Sequence, residues 1–202
     1  MTDDATDYLI ALIQQVEQME GPPAWDLLER AAAEHPHDPR PLAILGANLI
    51  TAGLVDLAEA AFLTALQRAP EFGLARFQLG LLQLTNGRPA TSMATWAPLE
   101  ALGDGNSLCL FKRGMEALAL DRFEEARRWL LAGKAANTTN EPLNRDMQMV
   151  IDGMEAHLLA PLPADGKRTE QPSETAHEAA VPETAPAGAS EHYLVSGYGQ
   201  RS

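Results

Sequence analysis

The fold is decided by residues 40–70, RPLAILGANLITAGLVDLAEAAFLTALQRAP. Apolar side chains recur at three- and four-residue spacing before and after Gly53, which predicts two helices joined by a turn. Gly87 and Asp121 stand between further helical patterns as turn residues. Runs of alternating apolar and polar residues, which are typical of strands, are missing. The sequence therefore predicts an all-α body.

Gly46, Gly80 and Gly114 are evenly spaced along the chain. We call the interval between successive glycines the period. Aligning the chain on them brings a small, a large and a second small position into register in the segment that follows each glycine. The first small residues are Ala58, Ser92 and Ala126, the large ones are Phe62, Trp96 and Leu130, and the last set is Ala65, Leu99 and Gly133. One period earlier, Ala24, Leu28 and Ala31 keep the same order, and Pro36 matches Pro70. The period predicts units at 5–38, 39–72, 73–106 and 107–140.

The pattern has a physical explanation in the packing of paired helices. Two helices approach closely only where one supplies a glycine or alanine and the other a small partner, so the large residue is expected to fill the layer above. Proline then ends the second helix. Because a single pair cannot bury its apolar face, the pairs are expected to stack into a solenoid. The alternative is an irregular helical bundle with accidental spacing.

Two segments follow the last unit. Residues 141–159 repeat the helical pattern, with Asn140 as a cap and Pro142 in the first turn, which predicts a helix that covers the end of the stack. Its apolar positions are Leu143, Met147, Val150, Ile151 and Met154. Residues 160–202 are rich in Pro, Ala, Glu, Ser and Thr, which predicts a disordered tail. Its cluster of His192, Tyr193, Leu194, Val195 and Tyr198 is either a solvated end or a short linear motif.

The unit 39–72 resembles a tetratricopeptide repeat (TPR), a helix–turn–helix motif of about 34 residues, through Leu45-Gly46, Ala58, Phe62, Ala65 and Pro70. Later units depart from the pattern at Arg76, Asp104, Arg113 and Thr138, and the first unit has Leu12 in place of the glycine. The resemblance implies a right-handed α-solenoid of four units with a capping helix, whose first helices line a concave groove.

The same resemblance assigns groove positions three residues before, one after and four after each glycine. These positions are all apolar. They are Leu9, Ile13, Val16, Ala43, Ala47, Ile50, Phe77, Leu81, Leu84, Phe111, Met115 and Leu118. Only Arg40 and Lys112 supply charge nearby, which disfavours a clamp for acidic tails. We expect partner side chains to pack on Phe77, Leu81, Phe111 and Met115, unless these residues are core. We also expect Arg40 and Lys112 to orient acidic groups of the partner nearby.

Composition excludes several classes of function. Fifteen basic against 28 acidic residues give a net charge of −13, which disfavours nucleic acid and membrane surfaces as partners. The single cysteine, Cys109, and an acidic N-terminus favour a cytoplasmic protein without disulfides. GDGNS at 103–107 is predicted to be a loop and not a phosphate cradle. His35 and His37 have no third metal ligand nearby except Asp38, so a polar loop is favoured over a metal site. No cofactor, metal or catalytic role is therefore expected.

The expected function is binding of an apolar peptide or helix of a partner protein, as an adaptor or chaperone-like factor. Two alternatives stay open. One is a chaperone of the type III secretion translocator kind, which is similar in size, charge and groove character. The other is an assembly scaffold that associates through terminal helices such as 4–19. Docking of the tail segment around Tyr193, in the chain's own groove or in that of a second copy, is a further hypothesis.

Overall fold

The computed structural model describes residues 3–159, with side chains from 8 to 158, and every regular element in that range is helical. The helices are α1 (Asp3–Glu17), α2 (Pro22–Glu34), α3 (Arg40–Thr51), α4 (Val55–Arg68), α5 (Gly73–Thr85), α6 (Pro89–Trp96), α7 (Ser107–Leu118), α8 (Phe123–Ala136) and α9 (Glu141–Leu159), with a 3₁₀ segment at Ala97–Leu102.

All-helical structure is thus confirmed for the described range. None of the described helices is both long and apolar enough to span a membrane. The predicted tail, with its cluster around Tyr193, lies outside the described residues.

Consecutive helices pack in pairs. The most extensive contacts join α3 with α4, α5 with α6, and α7 with α8. Neighbouring pairs meet through α2 with α3 and α4 with α5, and α5 also contacts both α3 and α7. The first helices of three successive pairs therefore lie side by side, while α1 packs on α2 and α9 packs on α8.

Each of these three pairs contains the same close contact between a glycine on the first helix and a large side chain on the second. A Cβ atom added at Gly46 would lie 2.8 Å from the ring of Phe62, and one added at Gly114 would lie 2.6 Å from Leu130. At Gly80 the indole of Trp96 approaches closer still. The expectation that the large residue fills the layer above the glycine is therefore wrong, because its side chain lies directly over the glycine and fills the space that a Cβ would need.

The turns between the paired helices also follow the period. Gly53 and Gly87 have φ angles of 73° and 72°, and Asp121 has a φ of 55° at the equivalent place. This left-handed conformation favours glycine, and aspartate is one of the few other residues that adopt it readily. The prediction that these three residues form turns is confirmed.

The second helix of the α5–α6 pair is interrupted. Helix α6 ends at Trp96 and continues as the 3₁₀ segment, whereas α4 and α8 each run for 14 residues. Pro98 explains the difference, because it has no N–H to donate and its ring clashes with the carbonyl one turn earlier in an α-helix. The thiol of Cys109 donates a hydrogen bond of 2.8 Å to the carbonyl of Leu99, which fastens the 3₁₀ segment to α7.

The buried apolar residues form two clusters that meet on α5. Leu79 and Leu82 belong to the cluster of the N-terminal half, and Phe77 belongs to that of the C-terminal half.

A polar network lies close to this boundary. Glu59 on α4 accepts hydrogen bonds from Gln83 and Arg88, and the amide oxygen of Gln83 accepts one from Thr95. Because Gln83 is only 3% exposed, its hydrogen bonds fix how α4, α5 and α6 pack.

Helix α9 spans Glu141–Leu159, as the sequence predicts. The side-chain oxygen of Asn140 accepts a hydrogen bond of 3.1 Å from the backbone N–H of Leu143, which confirms the expected cap. The five predicted apolar positions of this helix are all buried. Its exposed residues include Arg145, Asp152 and Glu155, so one face of α9 packs in the core and the other is polar.

A first prediction concerns the glycine contacts. Replacing Gly80 with alanine should lower the free energy of unfolding by about 1–3 kcal/mol, because overpacking against the rigid indole of Trp96 exceeds the gain in helix propensity of about 1 kcal/mol. Gly105→Ala is the matched control, since a Cβ there meets nothing within 4 Å. Urea denaturation followed by circular dichroism measures both variants. Equal stability of the two would contradict the packing described here.

A second prediction concerns the polar network. The hydrogen bonds from Arg88 lower the pKa of Glu59, so the carboxylate stabilises the fold above its ordinary pKa, and this contribution is lost as the pH falls through the lowered value. Glu59→Gln should therefore lower the melting temperature at pH 7 and weaken the loss of stability between pH 5 and pH 3. The exposed Glu29, changed in the same way, provides the control. A parent chain and a Glu59→Gln variant with parallel pH profiles would disprove this role.

Candidate functional site

The structure buries the aromatic residues that were predicted to line the groove. Phe77 and Phe111 are 0% exposed and Met115 is 3% exposed. The ring of Phe77 lies between Trp96 and Phe111, with centroid distances of 5.7 Å and 6.1 Å. Gly133 on α8 leaves space for the ring of Phe111. Phe77, Phe111 and Met115 belong to the core, so the expectation that a partner packs directly on them is wrong.

Other predicted groove residues reach the surface. Ala43, Ala47 and Val16 are buried, whereas Ile13 is 37% exposed. Five more are half-buried. They are Leu9, Ile50, Leu81, Leu84 and Leu118. Residues from neighbouring helices are thus available to a ligand, although less apolar area is offered than the sequence suggested.

Four of these residues form what we call the apolar strip: Ile50, Leu81, Leu84 and Leu118. Ile50, Leu84 and Leu118 are spaced one period apart and lie in the last turns of α3, α5 and α7. Helix α5 contacts both α3 and α7, so these residues occupy equivalent positions on three neighbouring helices.

The period also reaches α9. It places Met149 one step beyond Met115, and this half-buried residue was missed because the alignment stopped at the last of the three glycines.

The two cations expected beside the groove already have partners. The guanidinium of Arg40 donates to both carboxylate oxygens of Asp38, at 2.7–3.0 Å. The ammonium of Lys112 lies 2.5 Å from Glu100 and 3.2 Å from Glu116.

The environment of Lys112 indicates a structural role. Burial alone lowers the pKa of Lys112, but its hydrogen bonds to Glu100 and Glu116 outweigh that effect and raise it. Because the side chain is 9% exposed and ties the 3₁₀ segment to α7, it is not placed to orient a partner's acidic group. That expectation for Lys112 is wrong.

A second candidate site lies between the first turn of α8 and the end of α9, and we call it the α8–α9 cleft. One cavity of about 240 Å³ has Phe123, Met154 and Leu158 as its apolar lining, with Glu124, Arg127 and Glu155 around them. An adjoining cavity of about 450 Å³ shares Phe123, Glu124 and Leu158 with the first. Its other lining residues are Asp121, Arg122, Glu125 and Arg128. Sequence reasoning missed this cleft, because no periodic signal shows where the last turn of α9 meets α8.

The residues considered for chemistry have structural roles or surface positions. Asn106, within the 103–107 segment, accepts a hydrogen bond from the N–H of Leu108 and caps α7. His35 is exposed and its ring lies 4.1 Å from that of Tyr8. Burial raises the pKa of the Cys109 thiol, which disfavours the reactive thiolate. No cluster of potential metal ligands occurs among the residues that the structure describes.

Comparisons with protein-family models, with curated proteins and with solved structures found no match for this chain.

A third prediction tests the position of Phe111. Phe111→Ala should cost about 3–5 kcal/mol of unfolding free energy, since it removes a buried ring and leaves a cavity. Leu57→Ala, on a residue that is 55% exposed, should change stability by less than about 0.5 kcal/mol. Chemical denaturation of both variants provides the measurement. A Phe111→Ala variant as stable as the control would place the ring at the surface and restore the original expectation.

Proposed function

We propose that this chain is a noncatalytic interaction module that binds an apolar segment of a partner protein across the apolar strip. The observation that carries the proposal is the recurrence of half-buried aliphatic side chains at one position of three neighbouring helices, Ile50, Leu84 and Leu118. Apolar residues in such a row offer a continuous surface to an extended peptide or to one face of a helix.

A TPR-like solenoid is the architecture that we propose for this module. Its support comes from the three glycine contacts at intervals of one period, and from first helices that lie side by side. Stacked repeats of this kind present equivalent positions of successive units along one surface. The regular spacing of the apolar strip follows from that geometry.

The ends of the helices favour a partner with positive charge beside its apolar residues. Three of the four strip residues lie in the last turns of α3, α5 and α7, where the helix dipole leaves partial negative charge. None of these three helices has a basic residue in its last turn. The whole chain also carries a net charge of −13. A lysine or arginine next to the apolar anchors would therefore strengthen binding and make it depend on salt.

Self-association through α1 is a second candidate function. On this helix, Ile10 is 49% exposed and Ile13 is 37% exposed. Helix α1 is the first of the described helices and packs on α2. Exposed aliphatic residues of a terminal helix suit an interface between copies. This function predicts an oligomer that Ile10→Gln dissociates and that changes in the apolar strip leave intact, which analytical ultracentrifugation distinguishes.

A fourth prediction tests the strip itself. Peptides selected from a random display library with the parent chain should carry aliphatic anchors flanked by Lys or Arg. The double variant Leu84→Gln, Leu118→Gln should bind them at least about tenfold more weakly, because each leucine contributes up to about 1.5–3 kcal/mol when fully buried. Fluorescence anisotropy with labelled peptides measures the change.

The matched control is Leu63→Gln, since Leu63 is 45% exposed on α4, outside the strip. Circular dichroism confirms that all variants are folded. Loss of binding in the control, or unchanged binding in the double variant, would remove the apolar strip as the site. Selected peptides rich in Glu and Asp would contradict the proposed charge preference.

A further inference from the structure

The α8–α9 cleft lies beside the end of the described chain, and its lining includes an exposed apolar residue. Leu158 is 54% exposed, and it lines both cavities together with Phe123. The ring of Phe123 also faces that of His157, with a centroid distance of 6.0 Å. An aliphatic side chain that is half in water next to an aromatic ring gains free energy when another apolar group covers both.

The rim of the cleft carries both signs of charge. Arg127 forms an ion pair of 2.7 Å with Glu155 across α8 and α9, and Arg122 pairs with Glu125 at 3.7 Å. Arg128 lies on the same rim. The cleft thus combines a small apolar floor with a mixed charged border, which suits a short segment of mixed character better than a long apolar helix.

The position of the cleft points to the chain's own C-terminal segment as its occupant. Helix α9 ends at Leu159, directly after Leu158, so everything that follows is tethered at the edge of the cleft. Among residues 160–202, large apolar side chains cluster only at Tyr193, Leu194, Val195 and Tyr198. Glu191 precedes this cluster and Arg201 follows it, so the segment carries charge of either sign for the rim.

The length of the connection fits this arrangement. Residues 160–192, rich in Pro, Ala and Glu, link the end of α9 to the apolar cluster. A coil of that length would have a root-mean-square span of roughly 30 Å, long enough to leave α9 and return to its end. A tether of this kind gives a local concentration on the order of millimolar, so that weak apolar contacts suffice for docking.

We propose that residues 193–198 dock in the α8–α9 cleft of the same chain, with their apolar side chains covering Phe123 and Leu158. The contact uses a surface separate from the apolar strip, so it does not rest on the proposed function.

Hydrogen–deuterium exchange of the full chain tests this contact. Deleting residues 191–202 should speed amide exchange at least threefold in peptides covering 120–128 and 152–159, and should leave α3 unchanged. Deleting residues 165–176 is the matched control. It shortens the chain equally by removing DGKRTEQPSETA, which has no large apolar side chain, and should leave exchange unchanged. Leu158→Ser in the full chain should reproduce the effect of the first deletion.

A labelled peptide of residues 190–202 provides an independent measurement. It should bind the chain that lacks 191–202 more tightly than the full chain, whose own segment competes, and Leu158→Ser should abolish binding. Unchanged exchange in the first deletion, or equal effects of both deletions, would overturn the proposal. So would peptide binding that Leu84→Gln abolishes and Leu158→Ser does not. Protection that increases with protein concentration would place the segment in a second copy and contradict docking within one chain.

Discussion

The close contact between a glycine on one helix and a large side chain on the next is the constraint on which the structure depends. Gly46, Gly80 and Gly114 each accept a large side chain from the following helix, and none has room for a Cβ atom. Because the three contacts are one period apart, the two helices of each pair touch at equivalent residues. Such tight packing also restricts the side-chain conformations of residues that lie between neighbouring helix pairs.

The same constraint explains why the surface of α3, α5 and α7 is less apolar than the sequence suggests. Trp96 covers Gly80, and its indole N–H donates a hydrogen bond of 2.9 Å to the carbonyl of Phe77. Phe77 consequently stacks on Trp96 inside the core. Phe111 contacts Phe77 and lies against Gly133. What reaches the surface is the outer row of aliphatic side chains at the helix ends, which is where we propose that a partner binds.

Local signals account for what the sequence predicted well. Periodicity and the small residues at equivalent positions predicted the helices and their turns, and the Asn140 cap marked the start of α9. The burial of Phe77 and the pairing of Lys112 with Glu100 depend on how separate elements meet. Pro98 indicates that α6 ends early, but the prediction followed the repeat pattern and did not use this proline. The α8–α9 cleft joins residues that are far apart in the chain, so no local pattern indicates it.

The most direct test of the repeat geometry is nuclear magnetic resonance of a chain labelled with ¹³C-glycine. We expect the Hα protons of Gly46 and Gly80 to be shifted upfield by ring currents, with nuclear Overhauser effects to Phe62 and Trp96. Gly114 should show such effects to the methyl groups of Leu130. Glycine signals without these contacts, or with contacts to the small residues Ala58 and Ser92 in their place, would contradict the packing on which the fold depends.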